Sequence, residues 1–277
     1  MTMDQPLVSV LIPVYQVEDF IERCARSVFE QTYQNLECVF VDDGSTDSSI
    51  DILNQIINEY PSLKDNVHII HHQENRGLAA ARNTAINSCH GDFVMHVDSD
   101  DWLEPDAAEL LVRRQQETDA DIVYTRGNYL ENQGTVKIDC RGWSTNRESL
   151  LANILQDIAT MCIWSKLIRR SLYTNHGIII DEFGSYYEDY QSLSQLVYYS
   201  KTISCLDAYI YHYDRANPRS IVTNALHSME IQRQGLRSIQ SVSAFFQDKE
   251  PHFLEYIKVF KASFLQRYPQ NTPCLPA

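Results

Sequence analysis

Asp98, Ser99, Asp100 and Asp101 directly follow the apolar run Phe93-Val94-Met95-His96-Val97. Three carboxylates at the end of a buried strand repel one another and lose hydration, so folding alone gives little reason to place them there. A loop that only caps the next helix needs one acidic residue, not three. A divalent cation supplies the missing reason. Mg²⁺ or Mn²⁺ prefers oxygen ligands, takes one or two protein carboxylates, and completes its shell with water and the phosphate oxygens of a substrate. The cluster points to a metal and a nucleotide together. A second acidic pair, Glu188-Asp189, lies within Tyr186-Tyr187-Glu188-Asp189-Tyr190 and is followed by Leu193, Leu196 and Val197 at helical spacing. A carboxylate beside tyrosines at a helix start gains proton affinity from desolvation and loses it to the helix dipole, so the pair reads either as a general base or as an acidic first turn.

The elements that must hold these groups alternate. Val8-Ser9-Val10-Leu11-Ile12 is a short apolar run ended by Pro13, followed by Phe20, Ile21, Cys24, Ala25, Val28 and Phe29 at helical spacing. Residues 36–41 repeat the strand pattern, Asp42-Asp43-Gly44-Ser45 makes a turn, and Thr46 or Asp47 caps a helix carrying Ile50, Leu53, Ile56 and Ile57. A third strand at 67–70 precedes an alanine-rich helix at 78–87. Pro105 fits the start of another helix, and Asp121-Ile122-Val123-Tyr124 closes the series as a fifth strand. Strands alternating with helices imply an α/β protein with a mostly parallel sheet and right-handed crossovers, whose ligands sit outside the carboxyl ends of the strands. Tyr15, Asp42, Asp43 and the 98–101 cluster all fall there.

Composition narrows the class. At 277 residues and 44% hydrophobic, the chain can bury either one large α/β core or one core with a smaller helical appendage. No stretch approaches the roughly 20 apolar residues that span a bilayer, and the first residues lack the basic and apolar blocks of a secretory signal. A cytoplasmic location is expected. Seven cysteines without a Cys-x-x-Cys pair argue against a disulfide framework and a structural zinc site. The formal net charge of −14 disfavours a nucleic-acid partner and would repel an anionic sugar nucleotide unless a cation or local arginines intervened.

Four blocks in order carry a family pattern: Val8-Ser9-Val10-Leu11-Ile12-Pro13-Val14-Tyr15, Val41-Asp42-Asp43-Gly44-Ser45-Thr46-Asp47, Glu74-Asn75-Arg76-Gly77-Leu78-Ala79-Ala80-Ala81-Arg82-Asn83 and Val97-Asp98-Ser99-Asp100-Asp101-Trp102. Over residues 7 to 125 the chain resembles the family 2 glycosyltransferases. The resemblance implies a GT-A fold, a nucleotide-sugar donor such as a UDP-sugar, a divalent cation (Mn²⁺ or Mg²⁺) and inversion at the anomeric carbon. In such enzymes Pro13 and Tyr15 would meet the nucleobase, with the Tyr15 ring over one face of a uracil, and Asp42 or Asp43 would accept a hydrogen bond from the base. Asn75, Gly77 and Arg82 would border the diphosphate, with the Arg82 guanidinium forked onto it. Asp98 would face the ribose or the metal's water shell, Asp100 would ligate the metal directly, and Asp101 has no definite role. Asp189, with Glu188 beside it, matches the position of the base, although the glycine usual ahead of this pair is missing.

On this reading residues 1–125 form the donor half and 126–222 the acceptor and base half of one GT-A domain, with 223–277 a mainly helical extension. Trp164, in a Trp-x-Lys-Leu stretch, either lines the acceptor cleft or anchors the core. Arg215 and Arg219 lie in a loop able to close over the diphosphate. A helical pattern from Asn224 to Phe246 precedes an aromatic stripe, Phe253, Tyr256, Ile257, Phe260 and Phe264, which packs on the core, on a second subunit as a homodimer, or on a membrane surface. The acceptor is expected to be a carbohydrate or lipid-linked oligosaccharide, reached peripherally at the inner face of a membrane. Sugar-phosphate nucleotidyl transfer and non-catalytic sugar-nucleotide binding remain alternatives.

Overall fold

The computed structural model describes residues 5–131, 134–182, 186–218, 220 and 229–268. Strands β1 (Val8–Val14), β2 (Leu36–Asp42) and β4 (Phe93–His96) are buried at every position, which requires helices on both faces of the sheet. The period of two decides which side chain goes where. Val10, Ile12 and Phe40 point to a core shared with α1 (Ile21–Phe29), α2 (Ser49–Glu59) and α4 (Ala107–Thr118), whereas Leu11, Val39 and Val41 point to a second core under α3 (Leu78–Ser88), α5 (Arg147–Leu155), the short α6 (Ser171–His176) and α7 (Glu188–Tyr199).

The remaining strands are β3 (Val67–His71), β5 (Trp102–Leu103), β6 (Ile122–Glu131), β7 (Thr135–Asp139), β8 (Lys166–Arg169) and β9 (Ile203–Asp214). Their order is β3-β2-β1-β4-β8-β6-β9-β5, with β7 also paired to β6. The first four strands are parallel where they meet. The fifth strand read from the sequence does not simply extend that series, because β8 inserts between β4 and β6, antiparallel to both. Only four residues long and bounded by Lys166 and Arg169, β8 has little periodicity to betray it. Arg169 fixes its register by donating its backbone N–H to the Asp121 carbonyl and its Nε to Asp121 Oδ1, both at 2.8 Å.

Pro13 does not end β1, which continues to Val14. Pairing of β1 with β4 stops at Leu11, so the missing N–H of proline falls where that flank carries no ladder. Beyond the aspartate turn, β5 pairs with β9 through Trp102 and His212, so residues 98–101 are held at both ends by the sheet.

The C-terminal helices, α8 (Met229–Lys249) and α9 (Leu254–Arg267), cover α7. The helix expected to start near Asn224 begins within the described residues at Met229. Phe253, Ile257, Phe260 and Phe264 are buried, leaving Tyr256 and Val259 exposed. The Phe260 ring lies 4.8 Å from Tyr190. Four of the five residues of the stripe are therefore spent on this chain's own core, and Tyr256 stays on the surface. Among the described residues no helix is long and apolar enough to cross a membrane.

Gly127 marks the point where β6 shifts register against β9. A Cβ there would come within 2.2 Å of the Ile138 carbonyl oxygen and 2.6 Å of the Tyr209 ring. Gly127→Ala should cost roughly 1–3 kcal/mol of unfolding free energy in urea titrations; an unchanged midpoint would contradict the close approach of β7 and β9.

Candidate active site

The aspartate turn is clamped from behind. Asp101 is fully buried; its Oδ2 accepts a 2.6 Å bond from the Tyr211 hydroxyl and its Oδ1 a 2.8 Å bond from the Asp214 backbone N–H. The Tyr211 oxygen also accepts the Asp98 N–H at 3.1 Å. Trp164 stacks on Tyr211 with ring centroids 4.4 Å apart, and lies against Tyr213 as well. Asp101 and Trp164 thus hold the turn to β9, and of the two readings of Trp164 the structure supports the core anchor. Arg23 reaches over the Trp102 ring to the Asp100 carbonyl and to Asp214 Oδ2.

Asp98 and Asp100 remain partly exposed. Burial, and then the charge of Asp98, push the Asp100 carboxyl up to about 6, with an Asn217 Nδ2 bond of 2.8 Å to its Oδ2 acting the other way. A carboxyl pushed up by burial beside a second carboxylate, at the mouth of a turn, suits a hard divalent cation. Among the described residues no group of three or more His, Cys, Asp and Glu side chains is arranged to hold a metal ion. The donor set fits a cation held by Asp98 and Asp100 whose other ligands come from water and substrate phosphate, the usual habit of Mg²⁺.

Arg82 departs from expectation. On α3 and only 2% exposed, it donates from Nη2 to Asp98 Oδ1 at 2.9 Å and from Nη1 to both Glu188 Oε1 and Asp189 Oδ1 at 2.7 Å. Its Nε is buried without a partner among the described residues. The guanidinium therefore does not present a free fork to a diphosphate; its terminal nitrogens are committed to three carboxylates. Neighbouring Asn83 is likewise committed, gripping the backbone of Ile180 with both ends of its amide.

Glu188 and Asp189 open α7. Burial raises the proton affinity of both; for Glu188 the charge of Asp189 adds to that, while for both Arg82 opposes it. Asp189 Oδ2 also accepts the Ile163 N–H at 3.1 Å. The residue ahead of the pair, Tyr187, has a left-handed φ of +65°. A glycine there would adopt this backbone freely, so the missing glycine is a missing convenience rather than a different turn. The Tyr187 ring compensates by packing 5.5 Å from both Phe260 and Phe264.

On the nucleotide side Tyr15 is 46% exposed and, with Gln16, Thr46, Asp47 and Asn217, lines a cavity of ≈ 360 Å³. Asn217, which also holds Asp100, joins this cavity to the aspartate turn. Asp42 accepts from the Ser45 N–H at 2.8 Å and is paired with His71 Nδ1. Asp43 is turned inward: its oxygens accept the N–H groups of Arg76 and Gly77 at 2.9 and 2.7 Å and meet His72 Nδ1 at 2.6 Å. It caps the start of α3, where Gly77 has φ +91°. Both aspartates are buried with partners from the chain on each oxygen. Asn75 is exposed in the turn before α3, and Gly44 lies so close that a Cβ would reach within 2.8 Å of the Asn75 nitrogen. Pro13 is buried in β1. Arg215 is exposed with its N–H bonded to the Glu131 carbonyl, and Arg219 lies outside the described residues.

Sequence reasoning missed Asn217, Gln16 and the clamp by Tyr211. Asn217 carried a weak signal, lying between the two arginines of the loop singled out for closure; Tyr211 carried only its place in an alternating strand.

With this geometry in place, comparisons assign the class. The family model described as glycosyl transferase family 2 matches residues 9–177. EpsH of Bacillus subtilis (strain 168) is 31% identical over 251 residues, spanning 89% of this chain and 71% of that one. The glycosyltransferase GlyA of Streptococcus pneumoniae serotype 4 is 34% identical over 220 residues, but this chain spans only 30% of it. The crystal structure of S. aureus TarS 1-349 in complex with UDP-GlcNAc superposes with a TM-score of 0.71 at 20% identity, covering 94% of this chain and 73% of that one; at that identity it speaks for the fold. The chain belongs to glycosyl transferase family 2. It is a glycosyltransferase built on a mixed, curled sheet flanked by helices.

The raised Asp100 carboxyl makes a stability test. A carboxyl whose folded pKa exceeds its unfolded value binds extra protons in the folded state, so its contribution to stability declines as pH rises from about 4 to about 6. Asp100→Asn should escape that decline. In metal-free buffer its stability relative to wild type should grow across that window by up to about 3 kcal/mol and stay level above it. A difference independent of pH in chemical denaturation would contradict the strained carboxylate pair.

Proposed function

We propose that the enzyme transfers a single sugar from a UDP-sugar to an acceptor hydroxyl by single displacement, with inversion. The observation that carries this reading is the sharing of one guanidinium by Asp98 and Asp189. It brings the carboxylate of the donor side and the candidate base within the span of a single arginine. Such an arrangement suits an acceptor oxygen attacking one face of the anomeric carbon while the diphosphate departs from the other, through a transition state of oxocarbenium character.

The uridine would lie in the cavity beside Tyr15, its ring over the base. Asp98 and Asp100 would hold the divalent cation that this family uses, and when bound it supplies charge neutralisation for the departing diphosphate. Asp189, desolvated and therefore proton-hungry, takes the acceptor proton, and Arg82 and the Ile163 N–H orient its two oxygens. TarS has been crystallised with UDP and with UDP-GlcNAc, which supports a UDP-sugar as donor. A carbohydrate or lipid-linked oligosaccharide is the proposed acceptor class. Addition of one sugar per encounter is favoured over polymerisation because the Gln-x-x-Arg-Trp signature of processive polysaccharide synthases does not occur in this sequence.

The test is binding and turnover across a panel of UDP- and GDP-sugars with Mn²⁺, for wild type, Asp100→Ala and Asp189→Asn. Asp189→Asn should keep donor affinity within about threefold while transfer falls by about 10²–10⁴-fold. Asp100→Ala should weaken Mn²⁺-dependent donor binding. Release of diphosphate from a nucleoside triphosphate would favour nucleotidyl transfer instead, and donor binding with neither transfer nor hydrolysis would favour a binding role.

A further inference from the structure

Cys140 and Cys162 face each other across two neighbouring segments tied together by backbone. The Thr160 N–H donates to the Arg141 carbonyl at 2.8 Å, the Arg141 N–H donates to Thr160 Oγ1 at 3.0 Å, and Trp143 Nε1 donates to the Thr160 carbonyl at 2.9 Å. This frame brings the two thiols within hydrogen-bonding reach of one another. Two donors converge on the sulfur pair. Lys166, 1% exposed, places its Nζ 3.4 Å from Cys162 Sγ while also donating to the Cys162 and Trp164 carbonyls. Asn128, also 1% exposed, lies with its side-chain amide 3.4 Å from Cys140 Sγ, and its Oδ1 is buried without a partner among the described residues.

We propose that Cys140 and Cys162 form a peroxide-sensitive dithiol whose closure to a disulfide turns the glycosyltransferase site down. The hydrogen bond from Cys162, and then the charge of Lys166, hold the Cys140 thiol below the ordinary cysteine range, whereas Cys162 stays a thiol because its bond to Cys140 and its burial push it up. Cys140 is the half-buried member and Cys162 the buried one. They have the properties of an attacking thiolate and its resolving partner.

The chemistry balances with hydrogen peroxide as oxidant. The Cys140 thiolate attacks one peroxide oxygen, the O–O bond breaks, and a sulfenic acid forms with release of hydroxide, which takes a proton to become water. The Cys162 sulfur then attacks the Cys140 sulfur, gives up its proton, and displaces the sulfenic oxygen as a second water. Two thiols are oxidised by two electrons in all, one peroxide is reduced to two waters, and an external dithiol reverses the step.

The coupling to the site is one residue long. Ile163, next to Cys162, donates the N–H that holds Asp189 Oδ2, so drawing Cys162 toward Cys140 displaces the bond that orients the base. This consequence rests on the role proposed for Asp189; formation of the disulfide does not.

The experiment treats the full chain with hydrogen peroxide, alkylates it, and maps it after trypsin, which places Cys140 on residues 138–141, Cys162 on 148–166 and Cys205 on 202–215. The 140–162 crosslink should form about tenfold faster than any other pair, and Cys162→Ser should leave a sulfenic acid at Cys140 that dimedone traps. Donor turnover should fall roughly tenfold or more on oxidation, return with dithiothreitol, and resist peroxide in Cys140→Ser. A crosslink of Cys140 to Cys205, or no crosslink, overturns the dithiol. A crosslink without loss of turnover overturns the switch alone, and turnover absent in the reduced wild type bears on the proposed function instead.

Discussion

A single buried guanidinium holds the two halves of the site together. Arg82 gathers Asp98 from the end of β4 and Glu188 and Asp189 from the start of α7, residues 16, 106 and 107 positions away in the chain. Desolvating three carboxylates is costly, and one positive charge offsets it only because its planar fork makes a short bond to each. The surplus of negative charge is left on the carboxylates. That surplus, with burial, is why Glu188 and Asp189 favour their protons more than an exposed acid does. The same interaction that stabilises the joint tunes the candidate base.

The signature residues divide by what they touch. Asp43 and Asn83 bond mainly to backbone, capping α3 and fastening residue 180 to it. Asp101 is occupied by Tyr211 and the Asp214 N–H, with Trp164 stacked behind. These groups fix the site without facing it. Tyr15, Asp98 and Asp100 stay accessible, and Asn217 connects the cavity at Tyr15 to Asp100. Acidic residues that look alike in sequence thus differ in whether the chain itself supplies donors for both oxygens.

β1, β2 and β4 were legible because each is an apolar run fully buried between two helix layers. The 98–101 cluster was legible because no packing argument accounts for three acids at a strand end. β8 was not, since four residues flanked by basic side chains carry no period, and its place between β4 and β6 is set by Asp121 and Arg169. The bonding of Arg82 was hidden for another reason: a basic residue on an alanine-rich helix looks the same whether it meets phosphate or carboxylate, and two of its three partners lie more than a hundred residues away. The C-terminal stripe was visible as apolar, but only the fold shows that α7 covers it.

The account stands most directly on whether Arg82 and Glu188 act as one unit. A double-mutant cycle of Arg82→Met and Glu188→Gln, followed by urea unfolding at neutral pH, measures this. Arg82→Met alone should cost about 3–5 kcal/mol by stranding buried carboxylates, and adding Glu188→Gln should recover at least about 1 kcal/mol of that loss. Losses that simply add within about 0.5 kcal/mol would mean the guanidinium does not hold the carboxylates as a unit.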